Sequence, residues 1–111
     1  MRKFGRKTDQ RRALLKGLVA NLVMRERIKT TQARAKEMRS LAERLITYAK
    51  KNNLTGRRQV AAVLPAQAAK KLFKEIAPRF AERRGGYTRI IRLGQRMTDG
   101  AEVAYIEFLK D

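Results

Sequence analysis

The sequence predicts an α+β fold, a two-layer domain in which helices cover one face of a small mixed sheet. Three observations carry this. Apolar residues recur at three- and four-residue spacing up to about position 80, the period of helices with one buried stripe. After Gly85-Gly86 the chain turns rich in Tyr, Thr and Ile, with apolar positions close to alternation, as strands require. Asp99-Gly100 separates two such runs and marks a hairpin with a loop longer than two residues.

The elements follow in order helix, strand, three helices and a two-stranded hairpin. Residues 1–7 lack an apolar period and read as an extended basic arm, leaving 8–111 as one compact domain. A first helix spans about Thr8 to Arg25, with Leu14, Leu15, Leu18, Val19, Leu22 and Val23 as its stripe and Thr8 or Asp9 as N-cap. Arg27 to Thr30 is a short β-leaning run. Thr31 caps a second helix from about Gln32 to Lys50, whose stripe is Ala35, Met38, Leu41, Ala42, Leu45, Ile46 and Ala49. Asn52-Asn53 suits its end, and Lys50 and Lys51 complement its dipole. Thr55-Gly56 opens a short helix through Val60, Val63 and Leu64, stopped by Pro65. Another helix runs from about Ala66 to Ile76; Pro78 ends it, leaving Arg79-Phe80-Ala81 as a turn or a helical tail. The strands lie within Tyr87–Arg96 and Glu102–Leu109.

Charge dominates function. The 111 residues carry 28 Lys and Arg against 10 Asp and Glu, a net charge of +18 with no His or Cys. Residues 1–51 hold 16 of those cations and 4 of the carboxylates, so the basic emphasis is N-terminal. Concentrating like charge in a small domain costs self-repulsion, which a polyanionic partner relieves. Phosphate neutralisation also releases condensed counterions.

Without His or Cys, proton-shuttling dyads and tetrahedral zinc sites are excluded, and the scattered glutamates form no general-acid or metal motif. Gly85-Gly86 lacks the Lys-Ser/Thr continuation of a nucleotide-binding loop. No enzymatic activity, cofactor, metal site or small-molecule substrate is expected. The absence of Cys is compatible with a reducing compartment, and Leu18–Met24 is too short to span a membrane. A cytoplasmic protein follows as the default.

Three basic groups are candidate RNA contacts. Arg2, Lys3, Arg6, Lys7, Arg11 and Arg12 join the arm to the first helix, where an arm could track a phosphate groove; an exposed solvated terminus is the bland alternative. Lys29 and Lys36, with Arg34, flank the free N–H groups at a helix start, and Arg57 and Arg58 flank another. Both read equally well as solvated surface around ordinary caps. Arg79, Arg83, Arg84 and Arg89, with Arg92, surround Gly85-Gly86-Tyr87-Thr88; guanidinium forks could hold phosphates and Tyr87 could stack on a base. The alternative makes Gly85-Gly86 a plain turn and Tyr87 a core-edge ring. A DNA-compacting protein and a cationic membrane-surface protein are the rival binding classes. The first lacks a helix-turn-helix signature, and the apolar stripe that the second requires is explained as core.

Four stretches resemble the bacterial large-subunit ribosomal protein L-seventeen family. They are Lys3-Phe4-Gly5-Arg6; then Ile28-Lys29-Thr30-Thr31 with Ala35-Lys36-Glu37 and Leu45-Ile46-Thr47-Tyr48-Ala49-Lys50; then Lys71-Leu72-Phe73 with Ile76-Ala77-Pro78-Arg79-Phe80; and Gly85-Gly86-Tyr87-Thr88-Arg89-Ile90. The resemblance covers nearly the whole chain. It departs in a shortened arm, in Gln10-Arg11 where His-Arg is usual, and in Lys16-Gly17 where Arg-Asn is usual. It implies a compact α+β fold and a structural role on large-subunit ribosomal RNA near the peptide-exit side, beside neighbouring ribosomal proteins. It implies RNA contact at Arg2, Lys3, Arg6, Lys7, Arg11, Lys29, Lys36, Arg83, Arg84, Tyr87 and Arg89. No homo-oligomer is expected.

Overall fold

The computed structural model describes residues 4–110. Its elements are α1 (Phe4–Arg25), β1 (Arg27–Thr31), α2 (Gln32–Lys51), α3 (Leu54–Ala61), α4 (Ala66–Lys71), α5 (Ala77–Arg79), β2 (Thr88–Gln95) and β3 (Glu102–Phe108). A π-helical stretch, Leu72–Ile76, joins α4 to α5 in one continuous rod.

Helix α1 begins four residues before the expected start, taking in Phe4–Lys7 of the stretch read as an arm. No proline breaks that stretch, and Arg and Lys are good helix formers. Residues 1–3 of the arm lie outside the described residues. Only the C-terminal half of the α1 stripe reaches the core: Val19, Leu22 and Val23 are buried, Leu15 and Leu18 pack partly, and Leu14 is exposed.

The second helix matches its sequence reading closely. Thr31 Oγ1 accepts from the Arg34 amide at 3.3 Å, and Asn52 closes α2 in the left-handed region at φ 49°. The third differs at both ends. Asn53 is its cap, with Oδ1 accepting from Gly56 N–H at 2.7 Å, while Val63 and Leu64 lie in a turn before Pro65. A Cβ at Gly56 would stand 2.5 Å from the Tyr48 carbonyl oxygen, so α3 approaches α2 this closely because the residue is glycine.

Pro78 does not end its helix. In the π-helical stretch the Ala77 N–H donates to Leu72 C=O, five residues back. The wider turn makes room for the proline ring where the regular ladder is already interrupted, and the helix continues to Arg79.

The three strands lie in the order β1-β3-β2, and both pairings are antiparallel. The sheet is therefore antiparallel throughout, not mixed as expected. The hairpin sets β3 against β2, and the helical excursion returns β1 and β2 in the same direction with β3 between them. Ile28, Ile106 and Ile90 form one cross-strand row facing the helices, and Phe108 joins the same core. Thr88 N–H and Oγ1–H both donate to Glu43 Oε2, at 3.3 and 2.9 Å, tying β2 to α2.

Glu26 locks the corner between α1 and β1. Its φ of 66° reverses the chain, and its carbonyl accepts from Phe108 N–H at 3.1 Å. Its carboxylate takes Arg79 Nη1 at 2.8 Å and Lys71 Nζ at 3.3 Å. The Arg79 guanidinium holds this carboxyl below its ordinary value, against the opposing effect of burial, and Lys71 adds to the lowering. Glu26→Gln would leave two half-buried cations without a counter-charge, an expected loss of about 2 kcal/mol in urea unfolding. A lowered native pKa means the stabilisation is whole above the ordinary value of 4.5 and fades as pH falls through the native one. The gap between wild type and Glu26→Gln should therefore close on acidification.

Candidate nucleic-acid interface

The fold distributes the basic residues over several surfaces. Arg11 on α1 reaches Glu37 on α2, with Nε at 3.0 Å and Nη2 at 2.5 Å from Oε2. This pins the exposed half of α1 beside the start of α2. Between them and the hairpin loop lies a cleft of about 500 Å³, bordered by Arg11, Thr31, Arg34, Glu37 and Arg96. The first two sequence groups thus share a cleft at these positions, and the hairpin adds Arg96, which sequence reasoning did not select. Arg12 and Lys36 are exposed on α1 and α2. Arg6 and Lys7 lie on the helical backbone of α1, whereas Arg2 and Lys3 lie outside the described residues.

At the opposite end of α2, Arg57 Nε donates to Asn52 Oδ1 at 3.1 Å, and Arg58 is exposed one residue on. Arg84 lines a shallow pocket with Thr47, Lys50, Lys51 and Tyr87. Lys51 is thereby added to the basic surface.

The group expected around Gly85-Gly86 does not converge. Arg79 is only 20% exposed and serves the Glu26 pair, also donating to Leu109 C=O at 3.3 Å. It is an internal cation, because the rod aims it at the corner between α1 and β1. Tyr87 is 2% exposed, its ring 5.1 Å from that of Phe80 and tilted by 52°. Its hydroxyl donates to Arg83 C=O at 3.2 Å and accepts from Lys50 Nζ at 3.1 Å. A ring so enclosed offers no face to a base, which corrects its place among the RNA contacts. Lys50 also donates to the Arg83 carbonyl, and Arg83 Nη1 to Gly86 C=O at 3.2 Å, so much of this cluster holds the turn together.

Arg89 belongs to another surface. It lies on the helix-free side of the sheet, donating to Glu107 Oε2 from Nε at 3.0 Å and Nη2 at 2.5 Å. Arg27 approaches the other oxygen of Glu107 at 3.2 Å, and Lys29 stands across from Tyr105 on the same side. Arg92 points the opposite way, toward the Gln32 amide oxygen at 3.1 Å. Arg27 and Tyr105 escaped the sequence reading. Their signal was the two-residue period, which puts Arg27 and Lys29 opposite Ile28, and Tyr105 opposite Ile106.

Carboxylates and cations thus divide their roles. Glu26, Glu37, Glu43, Glu107 and Asp99 each pair within the chain. Exposed Arg12, Lys16, Lys29, Lys36, Lys51, Arg58 and Arg84 have no carboxylate partner among the described residues. Among the described residues no cluster of acidic side chains could hold a metal ion, and no helix is long and apolar enough to cross a membrane.

An α+β scaffold that pairs five of its carboxylates internally and leaves many cations outward and unpaired is the architecture of a cation-bearing structural protein. The chain belongs to the ribosomal protein L17 family, whose family model matches residues 14–109. It is 54% identical over 109 residues to the large ribosomal subunit protein bL17 of Caldanaerobacter subterraneus subsp. tengcongensis, covering 97% of each chain. The bL17 of Clostridium botulinum strain Loch Maree is 51% identical, over 97% of this chain and 96% of the relative. That of Shouchella clausii is 50% identical over 116 residues, 96% of this chain and 97% of the relative. The protein is thus a structural, ribosome-bound constituent in the cytoplasm and not an enzyme.

Proposed function

We propose that the chain binds and stabilises folded large-subunit ribosomal RNA through its outward cations, near the peptide-exit side and beside other large-subunit proteins. The observation that carries this reading is the segregation of charge. Glu26, Glu37, Glu43, Asp99 and Glu107 neutralise neighbours within the fold, while many exposed cations on α1, β1, α2, α3 and the turn before β2, among them Arg12, Lys16, Lys29, Lys36, Lys51, Arg58 and Arg84, lack a carboxylate partner among the described residues. The assembly is that of the relatives' names, and the exit-side placement rests on the family resemblance.

In this reading residues 1–7, continued by Arg11 and Arg12, form the leading edge of the basic surface. The cations at the two ends of α2 engage separate RNA segments and screen their mutual repulsion. Backbone and shape dominate recognition, because A-form duplexes bury their base edges in a narrow major groove. The protein works as a single copy, with no membrane or small-molecule ligand.

The test replaces Arg12, Lys36, Arg58 and Arg84 together by Gln. Its affinity for deproteinised large-subunit ribosomal RNA should fall roughly a hundred-fold, with a salt slope shallower by about four. Exposed side chains are changed, so the thermal melt should stay near that of wild type. Undiminished RNA binding by the folded variant would overturn the proposal.

A further inference from the structure

The helix-free side of the sheet carries its own constellation. Strand register places Arg27, Lys29, Arg89, Ile91, Tyr105 and Glu107 on it, with the three cations exposed and Ile91 and Tyr105 partly so. The Arg27 guanidinium carbon lies 3.8 Å from the centroid of the Tyr105 ring. Glu107 grips Arg27 through one oxygen and Arg89 through the other, so one carboxylate in the central strand orients a guanidinium on each flanking strand. The Glu107 side chain is only 15% exposed, whereas that of Arg27 is 51% exposed.

This arrangement differs from a solvated basic face. A freely moving Arg loses rotamer entropy on contact, but Arg27 is already braced by a ring and held by a carboxylate. Its guanidinium stands over the ring, and the side chain remains half exposed. Nucleobases stack on aromatic rings and on guanidinium planes alike. Three cations against one carboxylate leave a positive excess suited to flanking phosphates. The exposed apolar contribution, from Ile91 and Tyr105 with Leu93 at the bulge and Val103 buried on the same side, is small for a protein-docking face.

We propose that this open sheet face is a stacking platform for an unpaired RNA nucleotide. The base lies on the Arg27–Tyr105 pair, while Arg89 and Lys29 take the adjoining phosphates. The proposal rests on the RNA-binding reading above and adds to it a contact with an exposed base.

Two variants separate stacking from charge. Arg27→Lys keeps the charge and removes the plane; Tyr105→Leu keeps an apolar side chain and removes the ring. For the full chain with deproteinised large-subunit ribosomal RNA, each should lose affinity roughly ten-fold with an unchanged salt slope. Tyr105→Phe should bind like wild type, and melting curves verify that all three fold. Single-stranded polyuridylate should compete less effectively for Arg27→Lys than for wild type.

Wild-type affinity in both Arg27→Lys and Tyr105→Leu would overturn the platform. So would a loss accompanied by a shallower slope, which would make Arg27 a phosphate contact alone. Unchanged RNA affinity with lost binding to a purified neighbouring ribosomal protein would assign the face to protein docking and equally overturn it. Failure of the wild-type chain to bind this RNA would instead sink the broader reading, so the two failures are distinguishable.

Discussion

Raising monovalent salt from about 50 to 200 mM should weaken binding to large-subunit ribosomal RNA by roughly a thousand-fold. The magnitude follows from the number of cations that engage phosphates and not from net charge. Arg11, Arg79 and Arg89 already face carboxylates, so each gains less from a phosphate than an unpartnered cation does. Exposed cations without such a competitor among the described residues include Arg12, Lys16, Lys29, Lys36, Lys51, Arg58 and Arg84. If about six engage phosphates, with a little under one counterion released by each, the log–log slope is close to −5. Filter binding across a salt series measures it, and a slope shallower than about −2 would remove the electrostatic basis of the reading. Duplex DNA in the same assay should compete weakly, which separates this protein from a DNA-compacting one.

Tyr87→Ala should cost about 4 kcal/mol of stability, enough to leave a small domain only marginally folded. The ring is enclosed and packs on Phe80, and its hydroxyl bridges Lys50 to the Arg83 carbonyl. Removing it opens a cavity at the junction of α2, the turn and β2. Tyr87→Phe retains the ring and loses the hydroxyl bridge, for about 1 kcal/mol. Thermal and urea unfolding give both values. The discriminating result is the RNA affinity of Tyr87→Phe, which should equal that of wild type. A folded Phe variant with weakened RNA binding would return the Tyr87 hydroxyl to the interface.

Local signals carried the reading of some elements and failed for others. Gln32–Lys51 was legible because its cap, apolar stripe and C-terminal Asn agree. The helix through Pro78 was not, since the π-helical stretch that admits proline is a backbone adjustment with no residue signature of its own. The α+β class followed from the change of period after Gly85-Gly86. The partner of β1 did not, because a five-residue strand cannot announce whether β2 or β3 will lie beside it.

The candidate site divides similarly. Arg12, Lys36, Arg58 and Arg84 were visible as charges and are exposed. Arg79 and Tyr87 share the composition of an RNA contact, yet Glu26 claims one and Phe80 covers the other. Pairing and burial depend on residues distant in sequence, so a cation-rich stretch cannot reveal which members face outward. Arg27 and Tyr105 show the reverse: unremarkable in sequence, they meet through strand register.

The order β1-β3-β2 also bears on the birth of the molecule. The middle strand is translated after both of its neighbours, so each edge waits unzipped while a nascent chain grows. Ile28 and Ile90 must meanwhile be shielded by the early helices or by a chaperone. Closure comes when residues 102–108 slot between the waiting edges, making it a late, all-at-once event.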